Sequence, residues 1–295
     1  MPFKRVEKGK TRVHLTLRFE TDLHVDSSSG ADGYNLITHA HTDHYGQNNM
    51  KNPRAVTSDQ TASILETTTC RDFSGKCFEV GDKIDLDGVK INTYPTEHIP
   101  GSCAFLVNSS SRVLVTGDVK NYSQLPKCDV LVTEATYGSP RDVFQEELEK
   151  LVGEAVKSTY GVYPIGKAQR VTRILNEAGY RVCAEEKIAS ICSSLGIECT
   201  HNEDGDEDGD VNLVSPRSLK DVDGKKFMLT AQRFYYPRIV VSDHLDYGGI
   251  KAMIEHCDPE QVVFYHGKPS EKLIQEIEDM GKGVTLLSHL EKIRV

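Results

Sequence analysis

Thr38-His39-Ala40-His41-Thr42-Asp43-His44 directly follows an apolar run ending in Leu36-Ile37. His39, His41, Asp43 and His44, all able to ligate a metal, fall within six positions. On an extended backbone successive side chains alternate, so His39 and His41 point the same way and can grip one ion together. Asp43 and His44 lie just past the turn and can reach a second ion. This spacing has no evident structural purpose. The chain must therefore fold so that a strand end is held rigid around one or two cations.

The 295 residues suit one large domain or two moderate ones, and 38% hydrophobic with 27% charged residues supports a real core. No apolar run approaches the roughly 20 residues of a membrane span, and no apolar segment backs the basic Lys4-Arg5 as a signal peptide would require. The eight cysteines are scattered without a CxxC pair. Without an export signal they read as free thiols, and the chain is expected to be cytoplasmic with no membrane partner. The net charge of −9 argues against a general nucleic-acid-coating protein. However, Glu203, Asp204, Asp206, Glu207, Asp208 and Asp210 contribute six of those negative charges, which leaves room for a local positive groove. That run mimics a calcium loop, but Ser215 stands where the bidentate Glu belongs, so it reads as an exposed acidic loop.

Along the chain, one pattern keeps returning: an apolar strand ends in a residue that can bind metal or carry a proton. Residues 12–18 alternate as a half-buried strand does, Leu23-His24-Val25-Asp26 reads as another, and Asp87-Gly88 marks a hairpin turn. Thr57-Ser58-Asp59-Gln60 starts a helix. His98 follows Pro95-Thr96-Glu97, Val113-Leu114-Val115-Thr116-Gly117 ends in Asp118, and Val130-Leu131-Val132-Thr133 ends in Glu134. Two successive strands delivering carboxylates at the same end suggest one shared site. Further on, a strand from Arg238 ends in Asp243-His244, and Gln261–Tyr265 ends in His266-Gly267. Residues 143–158 have helical period. Gly166-Lys167-Ala168-Gln169-Arg170 reads as a glycine turn opening a helix, where Gly166, Lys167 and Arg170 could cradle a phosphate, although no P-loop pattern is present. A solvated basic face is an equally good reading of the same residues. His14, His24, His201, His256 and His289 have no comparable setting and read as structural or surface residues.

Nitrogen and oxygen ligands without thiolates suit zinc (Zn2+) or manganese (Mn2+), and two groups of ligands suit two ions bridged by one carboxylate. Such a pair, roughly 3.5–4 Å apart, stabilises both attacking and leaving oxygens of a phosphoryl displacement.

His39-Ala40-His41-Thr42-Asp43-His44, with His98 and Asp118, resembles the metallo-β-lactamase superfamily. Glu134, His244 in Ser242-Asp243-His244-Leu245-Asp246-Tyr247, and His266 in Tyr265-His266-Gly267 are similar to its β-CASP nuclease branch. Thr133–Gly138, Gly166–Arg170 and Val241–His244 are most similar to the DNA-ligase-associated exonuclease and mRNA 3′-end processing factor-like group. The resemblance implies an α/β (α+β) fold: a four-layer αββα sandwich with a compact α/β β-CASP cap inserted. Residues 1–138 and 238–295 would form the sandwich and 139–237 the cap, which is short beside that of larger members. It further implies two divalent ions, His39, His41 and His98 on one, Asp43, His44 and His266 on the other, with Asp118 bridging. His244 matches the general acid and Glu134 its carboxylate partner, and Asp43 joins them as a catalytic candidate. A carboxylate beside a histidine favours the protonated ring that such an acid needs.

The expected activity is hydrolysis of DNA or RNA phosphodiesters, as an exonuclease, by a two-metal-activated hydroxide. Two alternatives use the same chain differently. A hydrolase of a small ester, thioester or phosphodiester would need the ligands but neither His244 nor the Gly166-Lys167 turn. A non-catalytic family member would have lost ligands, whereas this chain keeps them all.

Overall fold

Alternating apolar residues build two sheets whose inner faces close on each other. The computed structural model describes residues 2–6, 14–19, 21–28, 32–202, 209–233, 237–289 and 292–294, the backbone alone for 2–6 and 292–294. In chain order the first half holds β1 (Pro2–Val6), β2 (His14–Arg18), β3 (Asp22–Val25), β4 (Tyr34–Leu36), β5 (Ala55–Ser58), α1 (Asp59–Thr69) and β6 (Lys76–Phe78). Next come β7 (Lys83–Leu86), β8 (Val89–Pro95), β9 (Cys103–Asn108), β10 (Arg112–Val115) and β11 (Val130–Ala135). The middle holds α2 (Leu148–Gly153), β12 (Ser158–Gly161), α3 (Lys167–Glu177), β13 (Val182–Ala184), α4 (Glu186–Ser194), β14 (Thr200–His201), β15 (Val211–Val214), β16 (Lys225–Leu229) and β17 (Arg238–Ile239). The chain ends with α5 (Tyr247–Cys257), β18 (Gln261–Gly267), α6 (Glu271–Asp279), β19 (Gly283–Leu286) and β20 (Lys292–Arg294).

Two units result. The first comprises residues 1–65, 71–143 and 244–295, the second residues 66–70 and 144–243. The chain enters the second unit after Val143 and leaves it after Asp243, a few residues later at each crossing than the segment 139–237 set out above.

In the first unit one sheet runs β20-β1-β2-β3-β4-β5-β6 and the other β19-β18-β11-β10-β9-β8-β7. Leu15, Leu17, Leu23, Val25 and Leu36 of the first sheet pack on Phe105, Val107, Val113, Val115 and Val132 of the second. The opposite face of the second sheet offers Leu106, Leu114, Leu131 and Val262, and these are covered by Ile250, Met253 and Ile254 of α5 and Leu273 and Ile277 of α6. Each such side chain, taken fully out of water, contributes roughly 1.5–3 kcal/mol. The architecture is the expected α/β sandwich. Asp87 and Gly88 make the hairpin turn between β7 and β8 with φ of 52° and 87°, the left-handed pair a two-residue turn requires. Ser58 caps α1, its Oγ accepting from the Thr61 amide at 3.2 Å.

The second unit is a six-stranded parallel sheet in the order β14-β13-β15-β12-β16-β17. Its core joins Tyr160 and Val162 to Val171 and Leu175 of α3 and Ile188 of α4. Two local expectations are corrected here. Of the helix expected over 143–158, only α2 forms, and the strand from Arg238 is just two residues long. The physical reason is non-local. Glu147 donates its amide to the Val240 carbonyl at 2.9 Å and takes the Val240 amide on Oε2 at 2.7 Å. Glu146 takes the Ser242 amide at 2.8 Å. Segments 144–147 and 240–243 thus spend their hydrogen bonds on each other.

Arg170 locks this pairing. Its guanidinium donates to both carboxylate oxygens of Glu146 at 2.8 Å and to the Ser242 carbonyl at 3.0 Å. Arg170→Ala strands a half-buried carboxylate, and is expected to lower stability by roughly 2–4 kcal/mol in urea unfolding. Arg170→Lys recovers only part, because an ammonium cannot engage both oxygens in one plane.

All eight cysteines are free, five of them buried. No helix among the described residues is long and apolar enough to cross a membrane. Of the acidic run expected over 203–210, residues 203–208 lie outside the described residues, and Asp210 takes the Arg181 amide at 2.9 Å.

Candidate metal centre

Every strand-end ligand candidate lies in the first unit. After β4 the chain leaves regular structure over residues 37–39, bends at Ala40 and turns at His41, whose carbonyl accepts from the His44 and Tyr45 amides at 2.9 and 3.1 Å. The Cys103 amide donates to the Thr38 carbonyl at 3.0 Å, tying this stretch to the second sheet. The His98 loop is held by Ser58 Oγ and Thr61 Oγ1, which both donate to the Gly101 carbonyl, at 2.6 and 3.1 Å. Gly117, at φ 65°, lets the chain bend into Asp118, and a Cβ there would sit 2.7 Å from Thr38 Cβ.

Three groups of potential ligand atoms form, each within 4.8 Å: His39, His41, His98 and Asp118; Asp43, His44 and His266; and Asp118, Glu134 and His244. In the first, His41 Nδ1 is 3.1 Å from both His39 Nε2 and His98 Nε2. Asp118 Oδ2 is 3.7 Å from His39 and 3.5 Å from His98, and Oδ1 lies 3.6 Å from His44 Nε2. One carboxylate therefore faces both groups. In the second group the His44 and His266 rings stack at 4.1 Å, and the exposed Asp43 carboxylate is 3.9 Å from His44 Nε2.

These residues fit divalent cations. His44 Nε2 and Asp118 Oδ1 are buried and have no hydrogen-bond partner, a costly state that a shared cation relieves. Burial and the neighbouring histidines hold His39 well below the ordinary histidine range, so it stays neutral as a ligand must. Burial, then repulsion from Glu134, pushes the Asp118 carboxyl up, and a bound cation would reverse that.

Asp26 orients the second group and was not singled out as a site residue in the sequence. It is buried at the end of β3 with φ 49°. His44 Nδ1 lies 2.7 Å from Asp26 Oδ2, which also accepts from Thr38 Oγ1 and from the Tyr265 hydroxyl, each at 2.9 Å. Oδ1 takes the Thr38 amide at 2.9 Å. A carboxylate on Nδ1 makes Nε2 the bare nitrogen, the one a metal needs. The available signal was the recurring pattern itself: Leu23-His24-Val25-Asp26 is one more apolar run closing on an acid.

Beside Asp118, Glu134 grips His244: Nδ1 is 2.9 and 3.0 Å from the two carboxylate oxygens. Burial would raise the Glu134 carboxyl, but the His244 ring, the Thr136 side chain and the Val119 amide outweigh it and hold the group below the usual range. The remaining candidates lie in the second unit. Arg170 is engaged with Glu146 as described, the Gly166 amide donates to Gln169 Oε1 at 2.7 Å, and Lys167 Nζ is 3.9 Å from Asp243 Oδ2. None of His14, His24, His201, His256 and His289 joins a metal-ligating group among the described residues.

No protein-family model matches the chain. It is similar to an RNase J-like protein of Methanocaldococcus jannaschii, 24% identical over 179 residues that cover 48% of this chain and 42% of that protein. It is similar to RNase aCSPSF2 of Saccharolobus solfataricus, 27% identical over 49% of this chain and 38% of the relative. A third relative is cleavage and polyadenylation specificity factor 73 of Drosophila melanogaster, 28% identical over 32% of this chain and 16% of that protein. The matches thus span less than half the length of each of these relatives. A crystal structure from Enterococcus faecalis V583, of a protein of unknown function, shares the fold over 100% of this chain and 99% of its own, with a TM-score of 0.70 at 14% identity. These relatives are nucleases of the β-CASP branch of the metallo-β-lactamase superfamily, the branch that the strand-end motifs of this chain resemble.

Proposed function

We propose that the chain is a metal-dependent nuclease that hydrolyses phosphodiester bonds, with RNA the favoured substrate and exonucleolytic removal the mode. The observation that carries this reading is the His244–Glu134 pair set beside the shared Asp118, its Nδ1 4.0 Å from Asp118 Oδ2. A hydrolase of a small, good leaving group has no need of a buried acid–carboxylate pair there. Ribonuclease names among the relatives support RNA, and the resemblance to the exonuclease group supports the mode.

His39, His41, His98 and Asp118 would hold one divalent ion, and Asp43, His44, His266 and Asp118 the other, zinc being the choice that three imidazoles and carboxylates favour. When bound, such a pair supplies a water of lowered pKa and charge stabilisation for a phosphoryl displacement. The chain's own contribution is orientation and a proton. Glu134 fixes the His244 ring through Nδ1, so Nε2 is the nitrogen that presents a proton to the leaving oxygen. Asp43, at the exposed edge, orients the attacking water. Lys167 and the Gly166 end of α3 are the proposed phosphate contacts of the second unit, and Arg170 serves by fixing the segment on which Glu146 and Ser242 meet.

Matched RNA and DNA oligonucleotides, labelled at either end, test this with Zn2+ or Mn2+. The expected result is loss of mononucleotides from one end, faster on RNA, and abolished by chelation. Hydrolysis of a small ester with no oligonucleotide cut would overturn the nuclease reading.

A further inference from the structure

We propose that Tyr265 is a positioning residue of the Asp43–His44–His266 metal site, beside which a bulge in β18 brings His266. The inference rests on the reading of those residues as ligands. β18 pairs in register with β11 through Phe264↔Thr133 and then resumes at His266↔Glu134, so Tyr265 has no partner on β11. In a regular strand consecutive side chains face opposite ways. Val263 belongs to the core between the sheets and Phe264 to the helix-covered face, so strict alternation would send His266 to the helices. The extra residue breaks that alternation, and bulges beside active sites re-aim side chains in this way.

As a result Tyr265 and His266 both meet His44. The Tyr265 ring stands edge-on to His44 at 6.2 Å and 88°, while His266 stacks on it at 4.1 Å and 23°. The Tyr265 hydroxyl donates to Asp26 Oδ2, the oxygen that also faces His44 Nδ1. This phenol reaches from β18 of one sheet to the end of β3 in the other. It holds Asp26 against rotation, and Asp26 in turn aims His44 Nε2 at the shared Asp118. An outer partner of a ligand that is lost in this way costs roughly ten- to a hundred-fold in metal affinity.

Tyr265→Phe keeps the ring and removes only the hydroxyl. Zinc titrated into the metal-free protein against a chromophoric chelator is expected to fill one site as in the wild type, while the other weakens roughly tenfold or more. The visible spectrum of the cobalt-loaded protein should change in parallel. Two sites with wild-type affinities and an unchanged cobalt spectrum would overturn the proposal. A lower melting temperature in chelator with the affinities unseparated would overturn it too, since that is what a purely structural hydroxyl gives. Wild-type protein that takes up no zinc overturns both this inference and the metal reading. The titration is independent of oligonucleotide cleavage, so failure of the nuclease reading alone leaves it intact.

Discussion

His244→Ala is expected to take up two metal ions as the wild type does and to lose about two to four orders of magnitude in turnover of an oligonucleotide. His244 touches Glu134 on both oxygens and approaches Asp118 at 4.0 Å, yet neither of the two mixed ligand groups that would hold the ions contains it. Its loss should therefore appear in kcat, with metal stoichiometry and KM near wild type. Glu134 keeps the Val119 amide at 2.8 Å and the Thr136 amide at 3.3 Å, which preserves the local fold. Equilibrium metal content and steady-state kinetics on the same preparation decide it. Unchanged turnover would sink the general-acid role.

Asp118→Asn should have the opposite signature, with metal lost and the fold retained. Asp118 faces both ligand groups, at 3.5 Å from His98 and 3.6 Å from His44, and a neutral amide cannot neutralise two cations. A ligand at a thousandfold excess over its dissociation constant stabilises the fold by about 4 kcal/mol, so the wild type should melt much higher in zinc than in chelator. The variant should lose most of that gain together with its activity. In chelator the sign reverses or vanishes. An acid whose folded pKa is raised destabilises the fold above its unfolded pKa of about 3.9, because the buried charge must be carried there. Removing it leaves the metal-free variant at least as stable as the wild type at neutral pH. Thermal melts with and without zinc read both arms, and a variant binding two ions with wild-type affinity would exclude Asp118 as the bridge.

The local pattern revealed His39 and His41 because two side chains on an extended backbone share a face whatever surrounds them. Likewise Asp118, Glu134 and His266 each announce themselves as a polar residue closing an apolar run. The helix expected over 143–158 fell short for the complementary reason. Its first turn was competing with a partner almost a hundred residues away, and Glu146 and Glu147 spend their carboxylates on 240–242. The same non-local logic hid Asp26, whose importance lies in accepting from Thr38, His44 and Tyr265 together. Arg170 looked like a phosphate contact because nothing beside it in the chain shows that Glu146 will meet it.

By itself the sequence supplied the candidates for this centre: which side chains can bind a cation, that they close apolar runs, and that they are nitrogen and oxygen donors. Those properties follow from residue type and a two-residue period. Only the tertiary structure decided that one carboxylate, Asp118, faces both groups, that Asp26 meets His44 Nδ1, and that a bulge turns His266 to the ring Tyr265 also meets. Asp26 and His44 meet because β3 and β4 are neighbours in one sheet, while Asp118, Tyr265 and His266 reach His44 from the other sheet, at a distance set by how the core between the sheets packs.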